Sequence, residues 1–247
     1  MMWDLLYPAC TVLAGYVVLG ITGFGSALVI VPLLAWHWPL PEVVALTLLM
    51  DVPASLLHGG LNLRQVQLTE LRRLLPGMVA GAMAGLWLSQ VLAASWPLLV
   101  LGLYVAAVGW QSLRPSAAQR QPLGPRWAPV MGIAIGSVEM LFGTAGPLVV
   151  TWLSRRLPDV QVLRATAPVV IAVSACAVLL TLGVSGRLSQ PGLWLRWIAL
   201  LGVAGIGVLL GNRLARRVSP LALRRHICGL LVLSGLSLMA HALLESI

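Results

Sequence analysis

Charge is scarce in this chain. Of 247 residues only 9% are Asp, Glu, Lys or Arg, while 59% are hydrophobic. A water-soluble domain needs far more surface charge, so that class is excluded. Lysine is missing altogether, and all 16 basic residues are arginine. Cysteine is nearly missing. Cys10, Cys176 and Cys228 form no C-x-x-C pair, which excludes a disulfide framework or a thiol relay and leaves small apolar packing residues. His37, His226 and His241 are isolated, without metal-ligand spacing, and His58 closes the second apolar segment, so neither a metal nor a cofactor is expected. The opening stretch MMWDLLYPACTVL lacks a basic n-region and carries Asp4. It reads as the lead into a first span rather than as a signal peptide.

What is present is apolar sequence in runs that mostly reach the ~20 residues needed to cross a bilayer as a helix. Eight such segments cover roughly 7–36, 42–61, 71–93, 96–113, 127–153, 160–186, 193–212 and 220–244. The fold class is therefore an all-α polytopic membrane protein. The net charge of +9 would suggest nucleic acid in a soluble protein. Here the arginines sit in short loops beside apolar spans, so they report topology and contact with anionic lipid headgroups, and nucleic acid is not an expected partner.

The segments repeat. Gly20 to Pro32 reads GITGFGSALVIVP, and Gly143 to Thr151 reads GTAGPLVVT. Gly23 falls on Gly143, and Leu28-Val29-Ile30 on Leu148-Val149-Val150. Pro41-Glu42-Val43 then matches Pro158-Asp159-Val160, and Gly81, Gly85 and Leu88 match Gly207, Gly211 and Leu214. The drifting offset is what loop insertions produce. We therefore expect residues 1–113 to form a first transmembrane repeat, 114–126 a linker loop, and 127–247 a second repeat. Paired, glycine-interrupted apolar segments in the two halves point to a transporter's binding site.

The first segment of each half is over-long and broken by glycines, so each reads either as a kinked span or as a hairpin that enters the membrane and returns. Arginine placement distinguishes the two. If all eight segments cross, the arginines divide evenly between the faces. If segments one and five are re-entrant, the halves are inverted relative to each other. Arg187 and Arg196 then sit alone on one face, and the other arginines share the opposite face. The positive-inside rule makes that richer face cytoplasmic and puts both termini in the periplasm.

A chain reversal inside a membrane exposes backbone groups, which must be buried in protein or line a wet cavity. The turns Thr22-Gly23-Phe24-Gly25-Ser26 and Gly143-Thr144-Ala145-Gly146-Pro147 are thus expected to face the interior. Pro147 suits the first turn of a helix, which places helix starts near residues 146 and 26. Two helix N-termini, with free N–H groups and partial positive charge, make an anion site without lysine. Thr22, Ser26 and Thr144 are able to add hydroxyl donors. The competing reading of the glycines is tight helix packing. Rows such as Gly77, Gly81 and Gly85 equally suit internal packing or a homodimer seam.

Asp51 and Glu139 are ionisable groups within apolar segments and so candidates for function. A protonatable carboxyl beside an anion site is able to couple proton and substrate movement; the competing role is a hydrogen bond to a broken helix. Neither recurs in the other half, so any coupling is asymmetric. Arg164, at the start of segment six, either snorkels to the interface or draws anions into the cavity.

The Gly20–Pro32 stretch, its copy GTAGPLVV, the eight-segment plan and the LRAT sequence at Arg164 resemble the TauE/SafE sulfite exporter family over nearly the whole chain. The resemblance implies movement of small sulfur-containing anions, such as sulfite or organosulfonates, across the bacterial inner membrane, with the site at the two glycine-rich breaks. The sequence departs from the family's usual glycine run at Ser26-Ala27, and in carrying Asp51. The expected function is a secondary anion transporter working by alternating access, with a passive anion channel of the same fold as the alternative. A membrane-embedded hydrolase has only Ser26 and His58 to offer and no recognisable motif, so no catalytic residue is assigned.

Overall fold

A computed structural model of the chain describes residues 3–59, 65–91, 95–113, 124–190 and 192–215, and positions 229, 232, 233, 235, 236 and 239. Most of the linker, most of segment 220–244, Cys228, His226, His241 and Arg64, Arg114, Arg120, Arg216, Arg217, Arg224 and Arg225 lie outside the described residues.

The described chain is helical. The helices are α1 (Trp3–Thr22), α2 (Ser26–Leu34), α3 (Leu40–Gly59), α4 (Leu68–Val91), α5 (Ser95–Leu113), α6 (Ala128–Phe142), α7 (Gly146–Arg156), α8 (Val160–Val184) and α9 (Leu193–Ala215). A short 3-10 turn at Pro125–Trp127 leads into α6. Four of them, α3, α4, α8 and α9, are long and apolar enough to cross a membrane. Their outward faces carry large apolar side chains such as Trp87, Leu180 and Leu209, as expected of helices solvated by lipid rather than water.

Segments one and five are each two helices. α1 stops because Gly23 adopts φ +84 and its N–H closes on the Leu19 carbonyl at 2.7 Å. α6 stops in the same way: Gly143 has φ +63 and its N–H reaches the Glu139 carbonyl at 2.8 Å. A left-handed residue at this position is a helix C-terminal signal that glycine satisfies without a Cβ penalty. α2 then has 9 residues and α7 has 11, about 13 and 16 Å of helix. Each is near half of a ~30 Å hydrocarbon core.

The start of α1 lies beside the end of α2: the Tyr7 hydroxyl donates to the Leu33 carbonyl at 2.8 Å, and its ring meets His37 edge-on. At the other break, the end of α7 is bound to the start of α4. Glu70 accepts from Arg156 Nη2 at 2.9 Å, from Trp152 Nε1 at 3.1 Å and from Arg73 Nη1 at 2.9 Å. The Thr166 hydroxyl of α8 accepts from the Gln67 N–H just before α4.

The glycine rows pack helices within the chain. α4 lies against α6, and α9 lies against α1. A Cβ on Gly81 would stand 2.2 Å from the Ile133 carbonyl oxygen, and one on Gly136 would stand 2.1 Å from that of Met78. On the other pair, a Cβ on Gly211 would stand 2.3 Å from the Val17 carbonyl oxygen, and one on Gly20 2.5 Å from that of Val208. No real side chain fits such approaches, and close backbone contact is how small residues join membrane helices. The glycines matched in sequence therefore do matched work: Gly81 and Gly85 meet α6, Gly207 and Gly211 meet α1. α3 and α8 pack against each other between these pairs.

Candidate functional site

Both breaks open onto one small cavity. Its walls are Phe24, Gly25 and Ser26 from the first break, Gly143 to Pro147 from the second, Asp51 and Ser55 of α3, Glu139 of α6 and Ile171 of α8. The volume is about 20 Å³, room for about one water molecule. The breaks touch directly, since a Cβ on Gly146 would lie 3.2 Å from the Phe24 ring.

α2 starts at Ser26 and α7 at Gly146, where the sequence pattern predicts them. Gly25 precedes α2 with φ +94, and neither helix has a side-chain cap supplied by its own N-cap residue. Pro147 occupies the first turn of α7, where a missing N–H is no loss.

A buried carboxyl reaches each break: Glu139 through a backbone N–H, Asp51 through side-chain hydroxyls. Glu139, 1% exposed, accepts the Ala145 N–H at Oε2 over 2.7 Å. Asp51, 3% exposed, accepts the Ser26 hydroxyl at 2.8 Å and the Tyr16 hydroxyl at 2.7 Å, both at Oδ1. One carboxyl thus holds each break, although the two sit at unmatched positions in sequence. Ser26, at the first break, and Asp51 of α3 are thus hydrogen-bond partners. No arginine is among the described residues lining the cavity. The Thr144 hydroxyl is buried and has no hydrogen-bond partner among the described residues.

Other predicted site residues are placed elsewhere. Thr22 is exposed, and its hydroxyl donates to the Val18 and Phe24 carbonyls. It shapes the turn rather than the cavity wall. Gly23 supplies the turn. Arg164 is exposed on the first turns of α8 and does not line the cavity. Ser26 donates to a carboxylate, not to a histidine; the side chain of His58 lies outside the described residues.

Sequence reasoning missed the tyrosines. The chain has only three, and each ties down a broken segment: Tyr7 to the end of α2, Tyr16 to Asp51, and Tyr104 to the Thr144 carbonyl at 3.0 Å. The available signal was a phenol inside an apolar run, which must find a polar partner when buried.

A helical, multi-pass membrane fold with two interrupted helices converging on a buried polar cavity defines a membrane transporter class rather than a receptor for water-soluble ligands. The profile described as "Sulfite exporter TauE/SafE" matches residues 7–238, and the chain belongs to that family. It is 46% identical over 197 residues to the "Probable inner membrane transporter protein TsaS" of Comamonas testosteroni, covering 79% of this chain and 82% of that protein. No solved structure matches the chain.

Proposed function

We propose that this protein is a secondary transporter of a small anion, of the sulfite or organosulfonate class, in the bacterial inner membrane. It works by alternating access to the cavity between the two helix breaks. One observation carries the reading: both interrupted segments deliver a helix N-terminus, partial positive charge included, to the same buried cavity. The family membership and the transporter relative agree with it. The hairpin-like return of α2 beside the start of α1, and the junction of Arg156 with Glu70, support two inverted repeats whose first segments are re-entrant. Residues 1–113 and 127–247 are those repeats. The arginine-rich loops lie in the cytoplasm and both termini in the periplasm. Reporter fusions at residues 120 and 157 should then report the same side. Opposite sides would rule out the hairpins.

The carboxyls set the coupling. Glu139 occupies the Ala145 N–H that an anionic substrate would use. At ~5 Å and an effective dielectric of ~20, two like charges repel by about 3 kcal/mol. With no arginine among the described residues of the cavity wall to offset this, the anion enters together with a proton on Glu139. Protonation weakens the hold of Glu139 on the amide and removes its repulsion of the anion in one step. The cavity is too small for sulfite, so α2 and α7 must separate from α3 and α8 for binding.

Purified protein in liposomes should take up labelled sulfite or a short alkanesulfonate, faster when the side supplying the anion is acidic. Flux that ignores the pH gradient and appears as single-channel current would favour the passive channel. No flux of either anion under any gradient would sink both.

A further inference from the structure

We infer that the chain holds a second anion site, an outer vestibule that selects organic anions with an apolar body and has Arg187 as its charged ligand. This rests on the reading of the protein as an anion transporter and adds to it the class of substrate. The vestibule is a cavity of about 420 Å³ at the end of α4 opposite to Glu70. It is formed where the α2–α3 connection, the end of α4, the start of α5 and the α8–α9 connection meet. That volume is in the range of small-molecule sites, which pair apolar walls with a few placed polar groups.

The walls are mainly apolar, with Trp36, Trp38, Leu98 and Leu182 among them. The polar elements are Arg187, Ser89 and, at the rim, the exposed His37. Arg187 Nη1 donates to the Ser89 hydroxyl at 3.2 Å, which holds the guanidinium in place. No Asp or Glu is among the described residues of the wall. The nearby carboxylate, Glu42, is already paired with Arg196, whose guanidinium stacks over Trp38 at 4.4 Å from the ring centre. Among the described residues no carboxylate pairs with Arg187, so its charge is left for a ligand, in surroundings that strengthen a guanidinium–anion bond.

The floor connects this vestibule to the central site. Met140 and Leu141 directly follow Glu139 in α6, and Val44 lies 3.6 Å from where a Cβ on Gly143 would stand. The vestibule that holds Arg187 thus shares part of its wall with the surroundings of the second break. An anion is concentrated there before it meets two carboxyls that repel it, the use to which a focused positive potential is suited. A sulfonate group fits the guanidinium, and the apolar walls fit an alkyl body that bare sulfite lacks.

The test is calorimetric titration of the purified full-length chain with butanesulfonate and methanesulfonate. The native chain should bind butanesulfonate more tightly than methanesulfonate. Arg187→Gln should raise the butanesulfonate Kd at least tenfold, with part of the affinity restored in Arg187→Lys. His37→Glu, at an exposed rim position, should also raise it. An unchanged Kd in Arg187→Gln, or in His37→Glu should the first variant not fold, overturns the vestibule site while leaving the transporter reading intact. Equal affinity for the two sulfonates overturns the apolar selection. Absence of binding and of liposome flux for either anion in the native chain overturns the transporter reading itself.

Discussion

Glu139→Gln should separate anion movement from proton movement. In liposomes, exchange of labelled for unlabelled anion should persist, while accumulation driven by a pH gradient should be lost. The reasons are local. Glutamine is nearly isosteric, and its side-chain oxygen still accepts the Ala145 N–H that Glu139 holds at 2.7 Å. The start of α7 is therefore kept. What disappears is the negative charge, and with it about 3 kcal/mol of repulsion toward an anion ~5 Å away, roughly a hundredfold in affinity. In the native chain that repulsion is lifted only by a proton; in the variant it is lifted permanently. Anion binding should consequently lose its dependence on pH. Asp51→Asn is the informative comparison. Asp51 accepts two hydroxyls, from Tyr16 and Ser26, against one amide for Glu139. Asparagine can accept the same two, so gradient-driven accumulation should survive in that variant. Undiminished accumulation in Glu139→Gln, together with loss in Asp51→Asn, would exchange the two roles. Accumulation retained in both would remove proton coupling through these carboxyls.

The class of the fold and the position of the breaks were legible because they rest on local chemistry. Apolar runs of bilayer length need no partner to be recognised. A glycine at a left-handed helix end, as at Gly23 and Gly143, leaves its mark in the sequence. So does Pro147 in a first turn. The matched glycines could be paired across the chain, but whether they faced each other, another helix or a second copy depended on which helices meet. The contacts α4 with α6 and α9 with α1 join elements far apart in sequence, and no local pattern encodes them. The same limit hid the vestibule, whose wall draws on two connections and on the ends of two further helices. Asp51 and Glu139 illustrate both sides. Each was visible as a charge in an apolar run, yet unmatched positions in the repeat hid the fact that each holds one break. Arg164 shows the reverse: a sequence position at the edge of a span was compatible with the cavity, and the turn of α8 carries it to an exposed face.

Glu70→Ala should cost more stability than any change to a lipid-facing residue. Glu70 is the third residue of α4 and only 5% exposed, yet it accepts hydrogen bonds from Arg156, Trp152 and Arg73. An exposed pair of this kind would contribute under ~1 kcal/mol, so burial decides the outcome. The Arg156 side chain is 19% exposed and that of Arg73 40%. Removing the carboxylate leaves a largely buried guanidinium and a buried indole N–H facing the gap, a loss of about 3–5 kcal/mol for a broken buried pair. At ~2–4 °C per kcal/mol for a chain of this size, the melting temperature in detergent should fall by roughly 10 °C. Arg73→Ala, which removes only the most exposed partner, should lower it by no more than roughly 2 °C. A Glu70→Ala variant that melts with the native protein would show that the cluster is solvated and energetically idle. The cluster also fastens the end of α7 to α4 at the end opposite the vestibule. If the half-length helices must part to admit an anion, this is the tie that holds them on that side. In Glu70→Ala, a cysteine placed at Ser55, in the cavity wall, should therefore react with a membrane-impermeant thiol reagent added from the arginine-rich side. In the native background it should stay protected there, and equal protection in both backgrounds would sever Glu70 from the transport cycle.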